Sequence, residues 1–256
     1  CHDREGWSLR KTRIAIVRTL GILAILLFFA LPAHAWPSTT LREKDTVAWK
    51  VGDVLVWRFP AADEGVVRAM SDRFNAAYKK GFRLVDLKVR KHDGKWTLYI
   101  GNTALLAAAK GHARGTRTDP KTIGVLWLTR LYDAFGKMHA GSLSDRYKLK
   151  GGYAISSRIS WYGGKFIGRK CANGEVFTDT HMSAAAKNLP FGTLVRVTVP
   201  ATKKSVVVRV TDRFAEHKGR ALDISASAAE LLGIKRAGIA NAQLQVIGRV
   251  DKIGGK

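Results

Sequence analysis

Between Thr46 and Phe59 apolar side chains alternate with polar ones at Val47, Trp49, Leu55 and Trp57, and Val51-Gly52-Asp53-Val54 separates the two runs. A period of two predicts a β-hairpin turning on Gly52-Asp53. The period then changes, because Val66, Val67, Met70, Phe74, Ala77 and Tyr78 recur at spacings of three and four. An amphipathic helix closed by Gly81 follows from that spacing. Leu84 to Val89 and Trp96 to Ile100 read as a second hairpin across His92-Asp93-Gly94, where Asp-Gly accommodates the positive φ of a tight turn. Asp119 and Pro120 supply an N-cap and an N1 proline to a helix with Ile123, Leu126, Leu131, Phe135 and Met138 on its apolar face. Residues 46–140 therefore predict a small α/β domain, without a clustered acid–base or ligand set. Trp49, Trp57, Trp96 and Trp127 fit its core better than a sugar platform.

Residues 141–152 are polar and basic, end in Gly-Gly, and read as a linker. Beyond them the pattern turns to short strands at Ala154 to Tyr162, Thr193 to Val199, Ser205 to Thr211 and Leu244 to Val250. One helix interrupts them, with Ser227-Ala-Ala-Glu230 as a capping box and Gly233 as its C′ residue. Short strands, frequent turns and a single helix predict a small closed β-barrel over residues 153–251. The expected fold class is mixed: a mainly β C-terminal barrel preceded by a small α/β domain.

The first 35 residues stand apart. Arg10, Lys11, Arg13 and Arg18 precede the apolar run Leu20 to Leu31, and Ala33-His34-Ala35 places small residues where a signal peptidase reads. The uncharged run from Thr19 to Leu31 is shorter than the roughly 20 residues that span a bilayer. An export signal cleaved after Ala35 is the expectation, although Cys1 stands where an initiator Met is expected. The formal charge is +24, of which residues 1–35, with five Arg/Lys and two acids, hold +3, leaving +21 on the exported chain. Such charge attracts polyanions and does not determine fold. Nucleic acid is the usual partner inside a cell, but export replaces it with anionic envelope polymers, lipid head groups and wall carboxylates. No nucleic-acid partner is therefore expected. Cys171 is alone once residues 1–35 are removed, which excludes an intramolecular disulfide and a cysteine-based zinc site. No cofactor or metal is expected.

Four stretches of the barrel region are polar where packing alone does not require it: Ser160-Trp-Tyr-Gly-Gly164, Ala172-Asn-Gly-Glu175, Thr211-Asp-Arg213 and Leu222-Asp-Ile-Ser225. Asp212 ends the apolar strand Val206 to Val210 and should stand at the barrel rim beside Arg213. A half-buried carboxyl there can retain a proton and serve as a general acid. The plainer alternative is an Asp bonded to turn amides or paired with Arg213. Trp161 and Tyr162 suit either sugar stacking or a plug in the barrel mouth, and Asp223 either a groove contact or a structural bond to amides.

"SWYGGKFIGRKCANGEVF", "MSAAAKNLPFGTLVRVT", "SVVVRVTDRF" and "GRALDISASAAELLGI" follow one another across about a hundred residues. This series resembles the six-stranded double-psi β-barrel of the rare lipoprotein A family of cell-wall lytic transglycosylases. The resemblance implies an exported protein of the periplasm or envelope acting on peptidoglycan glycan strands. Active members of the family cleave between N-acetylmuramic acid and N-acetylglucosamine, closing the muramyl C6 hydroxyl onto C1 to leave a 1,6-anhydro end. Asp212 matches the family's catalytic acid, and Glu175 the Glu of Ala-Asn-Gly-Glu, which lines the same groove. Trp161, Tyr162, Asn173, His181, Arg213, Phe214 and Asp223 are the candidate substrate-binding residues.

Three departures shape the expectation. Family members commonly read Thr-Ala-Ala-His-Lys where this chain has Ser183-Ala-Ala-Ala-Lys187, so the functional His is replaced by Ala186. His181 lies five residues earlier, on the opposite face if the segment is a strand, and reads more simply as an exposed loop histidine. Asp-Arg-Gly-Pro has become Asp212-Arg213-Phe214-Ala215, which puts an aromatic on the rim. There is also no lipid-attachment cysteine after the apolar run and no septal-targeting repeat before Lys256, so a soluble envelope protein is expected. Ala186 favours a second reading, a non-catalytic glycan-binding barrel comparable to expansin-like and barwin-like modules. Cys171 has no sequence neighbour able to activate it and reads as a bystander.

Overall fold

A computed structural model describes residues 37–112, 118–140, 154–214 and 219–255. The export signal expected over residues 1–35 and the linker expected over 141–152 lie outside the described residues. Pro37–Lys256 clusters as one compact unit. Its strands are β1 (Ser38–Glu43), β2 (Thr46–Val51), β3 (Val54–Pro60), β4 (Phe82–Arg83), β5 (Leu87–His92), β6 (Lys95–Ile100) and β7 (Thr103–Ala107) before the barrel. Those of the barrel are β8 (Ala154–Tyr162), β9 (Ser183–Ala185), β10 (Thr193–Val199), β11 (Lys204–Asp212), β12 (Arg220–Ser225) and β13 (Ala240–Arg249), and β14 (Lys252–Ile253) follows. The helices are α1 (Glu64–Lys80), α2 (Pro120–Met138) and α3 (Ala226–Leu232).

The two expected hairpins form, β2 with β3 and β5 with β6, each extended by a strand to make the sheets β1-β2-β3 and β5-β6-β7. Asp93 and Gly94 both take positive φ, 47° and 74°, as the tight turn requires. Asp119 caps α2, its side chain accepting from Thr122 N–H, and Pro120 occupies the first turn. At α3 the expectation is corrected: Ser225, not Ser227, is the N-cap, accepting from Ala228 N–H. Ser227 lies inside the helix and donates instead to the Asp179 carbonyl. Gly233 closes α3 in the left-handed region, as the sequence implies.

The six strands close in the order β10-β11-β9-β12-β8-β13. β9 pairs parallel with β11 and antiparallel with β12, and β12 pairs parallel with β8. The central helix α2 packs on β10, β11 and β13 of the barrel and on β3, β5 and β6 before it. Two glycines permit that approach: a Cβ on Gly136 would meet Ile247 Cδ1 at 2.6 Å, and one on Gly248 would meet the Gly136 carbonyl at 3.1 Å. Thr129 of α2 also accepts from Val207 N–H at 2.6 Å and donates to the Val207 carbonyl at 3.1 Å. Trp49 and Trp127 are fully buried, Trp57 and Trp96 partly, and the apolar core runs without a break from Val47 to Ile253.

Candidate active site

The ends of β8, β9, β11 and β12 surround a groove of about 730 Å³. Its floor is set by Ala185, whose register partners are Asp212 on β11 and Asp223 on β12. Residues directly opposite one another in a sheet share a face. Asp212, Ala185 and Asp223 therefore line the same groove, the two aspartates on the strands that flank Ala185.

Asp212 is held through one oxygen. Its Oδ1 accepts from the Ala172 N–H at 2.9 Å and the Arg213 N–H at 2.8 Å. Among the described residues Oδ2 has no hydrogen-bond partner, and Asp212 is one of the residues that line the groove. The plain alternative raised by the sequence, bonds to turn amides, is thus realised at Oδ1. Arg213 does not pair with the carboxylate. Its Nη1 donates to the carbonyls of Ala186 at 3.1 Å and Asp212 at 3.2 Å, while its guanidinium stacks 3.8 Å above the Phe191 ring.

Asp223 belongs to a polar set absent from the expectation of an amide-bonded aspartate. Its Oδ1 accepts from the Ser160 hydroxyl at 2.5 Å, and Arg220 Nη1 donates to that hydroxyl's oxygen at 2.8 Å. Arg220 Nε stands 3.9 Å from Asp223 Oδ1 and is buried without a hydrogen-bond partner. Trp161, Tyr162, Phe166 and Phe214 add aromatic walls, and Lys165 a cation. Trp161 is fixed by donation from Nε1 to the Lys235 carbonyl at 3.1 Å, and the next turn requires glycine, since a Cβ on Gly163 would meet Ala226 Cβ at 2.7 Å. The Tyr162 hydroxyl lies 2.8 Å from Ser183 Oγ, and burial keeps it protonated by raising its pKa.

Glu175, Asn173 and His181 are placed elsewhere. None of the three lines the groove. Glu175 forms a two-point bond with Arg209, at 2.6 and 2.5 Å, and accepts from Asn173 Nδ2 at 2.6 Å. Burial opposes its charge, but the Arg209 bonds outweigh burial and hold the carboxyl below its usual range. His181 is not the exposed loop residue expected. It is half-buried and lines a separate cavity of about 120 Å³ with Arg209, Tyr132 and Lys88. Burial first, and then the Arg209 charge, lowers its pKa to about 4, and its Nδ1 has no hydrogen-bond partner. Cys171 is buried, and burial raises its thiol pKa, as suits a bystander.

Ala186 is buried, 1% exposed, and sits under Arg213. Arg209 and Arg220 escaped the sequence reading. For Arg209 a signal existed: an arginine inside Val206-Val-Val-Arg-Val210 is a charge in an otherwise apolar strand, which folding tolerates only when it is paired.

The fold is a closed six-stranded barrel with an aromatic-walled groove at its strand ends, and sequence comparison gives its class. Residues 155–244 match the double-psi β-barrel family described as Lytic transglycolase. Over this region the chain is similar to proteins named endolytic peptidoglycan transglycosylase RlpA. It is 46% identical over 101 residues to that of Vibrio cholerae serotype O1, covering 40% of this chain and 38% of the relative. The Rickettsia bellii protein is 37% identical over 117 residues, covering 41% and 52%, and that of Neisseria meningitidis serogroup A 38% over 121 residues, covering 43% and 50%. The match spans between 38% and 52% of these relatives' lengths. Among solved structures, the Clavibacter michiganensis expansin is 27% identical with a TM-score of 0.30, covering 37% of this chain and 50% of that one.

Proposed function

We propose that this chain is a peptidoglycan lytic transglycosylase of the cell envelope in which Asp212 is the general acid. The observation that carries the reading is the state of Asp212: it lines an aromatic-walled groove, with one oxygen fixed by two amides and the other without a partner among the described residues. Proton donation to the glycosidic oxygen requires such an atom at the groove surface. Attack by the muramyl C6 hydroxyl on C1 then releases the leaving sugar without water and leaves a 1,6-anhydro end. Trp161, Tyr162 and Phe214 supply faces for sugar rings, and Arg213 fixes the rim by holding two carbonyls. Glu175 acts at a distance in this reading, by holding the 171–175 turn whose Ala172 N–H reaches Asp212.

The substrate class, glycan strands of peptidoglycan, and the envelope location rest on the similarity to the named transglycosylases. The basic exported chain adds attraction to anionic envelope polymers or lipid head groups. The second reading, a glycan-binding barrel without catalysis, is favoured by one observation: Ala186 supplies no imidazole where the related family has one.

Mass spectrometry of material released from denuded glycan strands and from intact sacculi separates the two. Anhydro-muramyl products from the wild-type chain, reduced by a factor of about 10² to 10⁴ in Asp212→Asn, are expected. Wild-type protein that pellets on sacculi yet releases no such product would leave only the binding barrel.

A further inference from the structure

The lytic reading names an acid, but the C6 hydroxyl must also lose a proton as it attacks. The groove holds a second carboxylate for that step. We propose that Asp223 is the proton acceptor of the reaction, opposite Asp212 across Ala185; the inference rests on the transglycosylase reading above.

Ala185 is the register partner of both aspartates. Adjacent strands lie about 4.8 Å apart, which sets the two Cα positions roughly 10 Å from each other, less what the barrel's curvature removes. That Cα span leaves room for a sugar unit over Ala185, whose small side chain lines the groove between the two strands that carry the aspartates.

The surroundings assign the roles. The hydroxyl hydrogen of Ser160 is directed at Asp223 Oδ1, Arg220 lies on the same side, and Arg220 also donates to Ser160. A carboxylate so surrounded is oriented as an acceptor at one oxygen, and its Oδ2, without a partner among the described residues, is left for substrate. Among the described residues Asp212 has no side-chain donor; two amides hold it through Oδ1. In the step itself the C1–O bond to the leaving sugar breaks and its oxygen takes the Asp212 proton. The O6–C1 bond forms and the O6 proton passes to Asp223. Exchange with solvent then returns both carboxyls to their starting states, so no co-reactant is needed.

The test uses the full chain on denuded glycan strands, with anhydro-muramyl ends as the product measured. Asp223→Asn, which preserves shape, should lower kcat by about 10² to 10⁴ with KM little changed, and the acidic limb of the kcat/KM profile should disappear. In Asp223→Ala, added formate should restore part of the rate by occupying the vacated carboxylate position. Retention of activity within about threefold by a folded Asp223→Asn overturns the inference while leaving Asp212 as acid. So does a rise in KM at constant kcat without formate rescue, which is the signature of a residue that only binds sugar. A wild-type chain that forms no anhydro ends is a separate result, and it overturns the transglycosylase reading together with this one. Pelleting of each variant on sacculi and its circular dichroism establish that a lost rate is not a lost fold.

Discussion

The barrel carries two polar clusters that differ in how far their groups are satisfied. In the groove, Asp212 and Asp223 each commit one oxygen and, among the described residues, leave the other without a partner. Around Arg209, Glu175 commits both oxygens to one guanidinium and Asn173 adds a third bond. An acceptor oxygen without a partner at a surface groove can exchange protons with a substrate, whereas a partly buried carboxylate with both oxygens bonded to a guanidinium cannot do so without breaking its pair. Glu175 and Asp212 are equally acidic residue types in the sequence; the difference lies entirely in their partners. The clusters are linked by the 171–175 turn, in which the Glu175 carbonyl accepts from Cys171 N–H and the next amide, of Ala172, reaches Asp212.

The strongest way to break this contrast is to unpair the buried cluster. Arg209→Met leaves Glu175 as an uncompensated, partly buried charge and should cost up to about 3–5 kcal/mol. For a unit of this size that corresponds to a fall in Tm on the order of 10 °C. The double variant Arg209→Met/Glu175→Leu should recover most of it, because removing both ions also removes their desolvation cost. Differential scanning calorimetry of the three proteins measures it. A single variant losing less than about 1 kcal/mol would mean that the Arg209 cluster does not hold the barrel.

A smaller effect should appear on acidification. The ordinary histidine value is 6.5, and His181 in the fold is lowered to about 4, first by burial and then by Arg209. Between these values the unfolded chain binds the proton and the folded one does not, so acidification favours unfolding. The contribution of neutral His181 is complete above about pH 6.5, declines as pH falls, and is lost near pH 4. It amounts to something on the order of 3 kcal/mol. Glu175 is lowered from 4.5, so its contribution is present above that pH and declines only below it. The window from pH 6.5 to 4.5 therefore isolates the histidine effect. His112 is shifted down by burial too, and comparison with His181→Gln removes its share. Urea unfolding at pH 7 and pH 4.5 should show a smaller difference for His181→Gln than for wild type. Equal differences would locate the acid sensitivity elsewhere.

Much of the fold was legible because local rules and tertiary packing agree there. The β2–β3 hairpin, the Asp93-Gly94 turn and the Asp119-Pro120 start of α2 all rest on near-neighbour chemistry. β9 was not legible as a strand. It is three residues long, and its identity comes from pairing with β11 on one side and β12 on the other, neither of which is near in sequence. The same pairing explains the alanines. Ala184 is fully buried, Ala185 is the groove floor between two carboxylates, and Ala186 lies under Arg213. The error at the α3 cap has a local cause: Ser225 and Ser227 both carry hydroxyls of the right kind, and pairing of Ser225 in β12 decides between them. At the site, sequence singled out Asp212 from its strand-end position and Asp223 from the polar stretch ahead of α3. It missed Arg209 and Arg220, and it read Glu175 as a groove residue, because charge pairing across 34 residues leaves no periodic trace.

Ala186→His gives the smallest expected change and the sharpest contrast between this chain and the family it resembles. The methyl of Ala186 is 1% exposed, and the carbonyl of the same residue anchors Arg213, whose guanidinium is stacked on Phe191. An imidazole there must displace that stack or overpack the site, at a cost of about 1–3 kcal/mol. Because Arg213 N–H is one of the two donors to Asp212, moving the arginine also loosens the acid. The substitution should therefore lower Tm by a few degrees and leave anhydro-product formation unchanged or reduced. A gain of tenfold or more in product, with Tm preserved, would mean that the groove had room for an imidazole and that its absence was the factor limiting the wild-type chain.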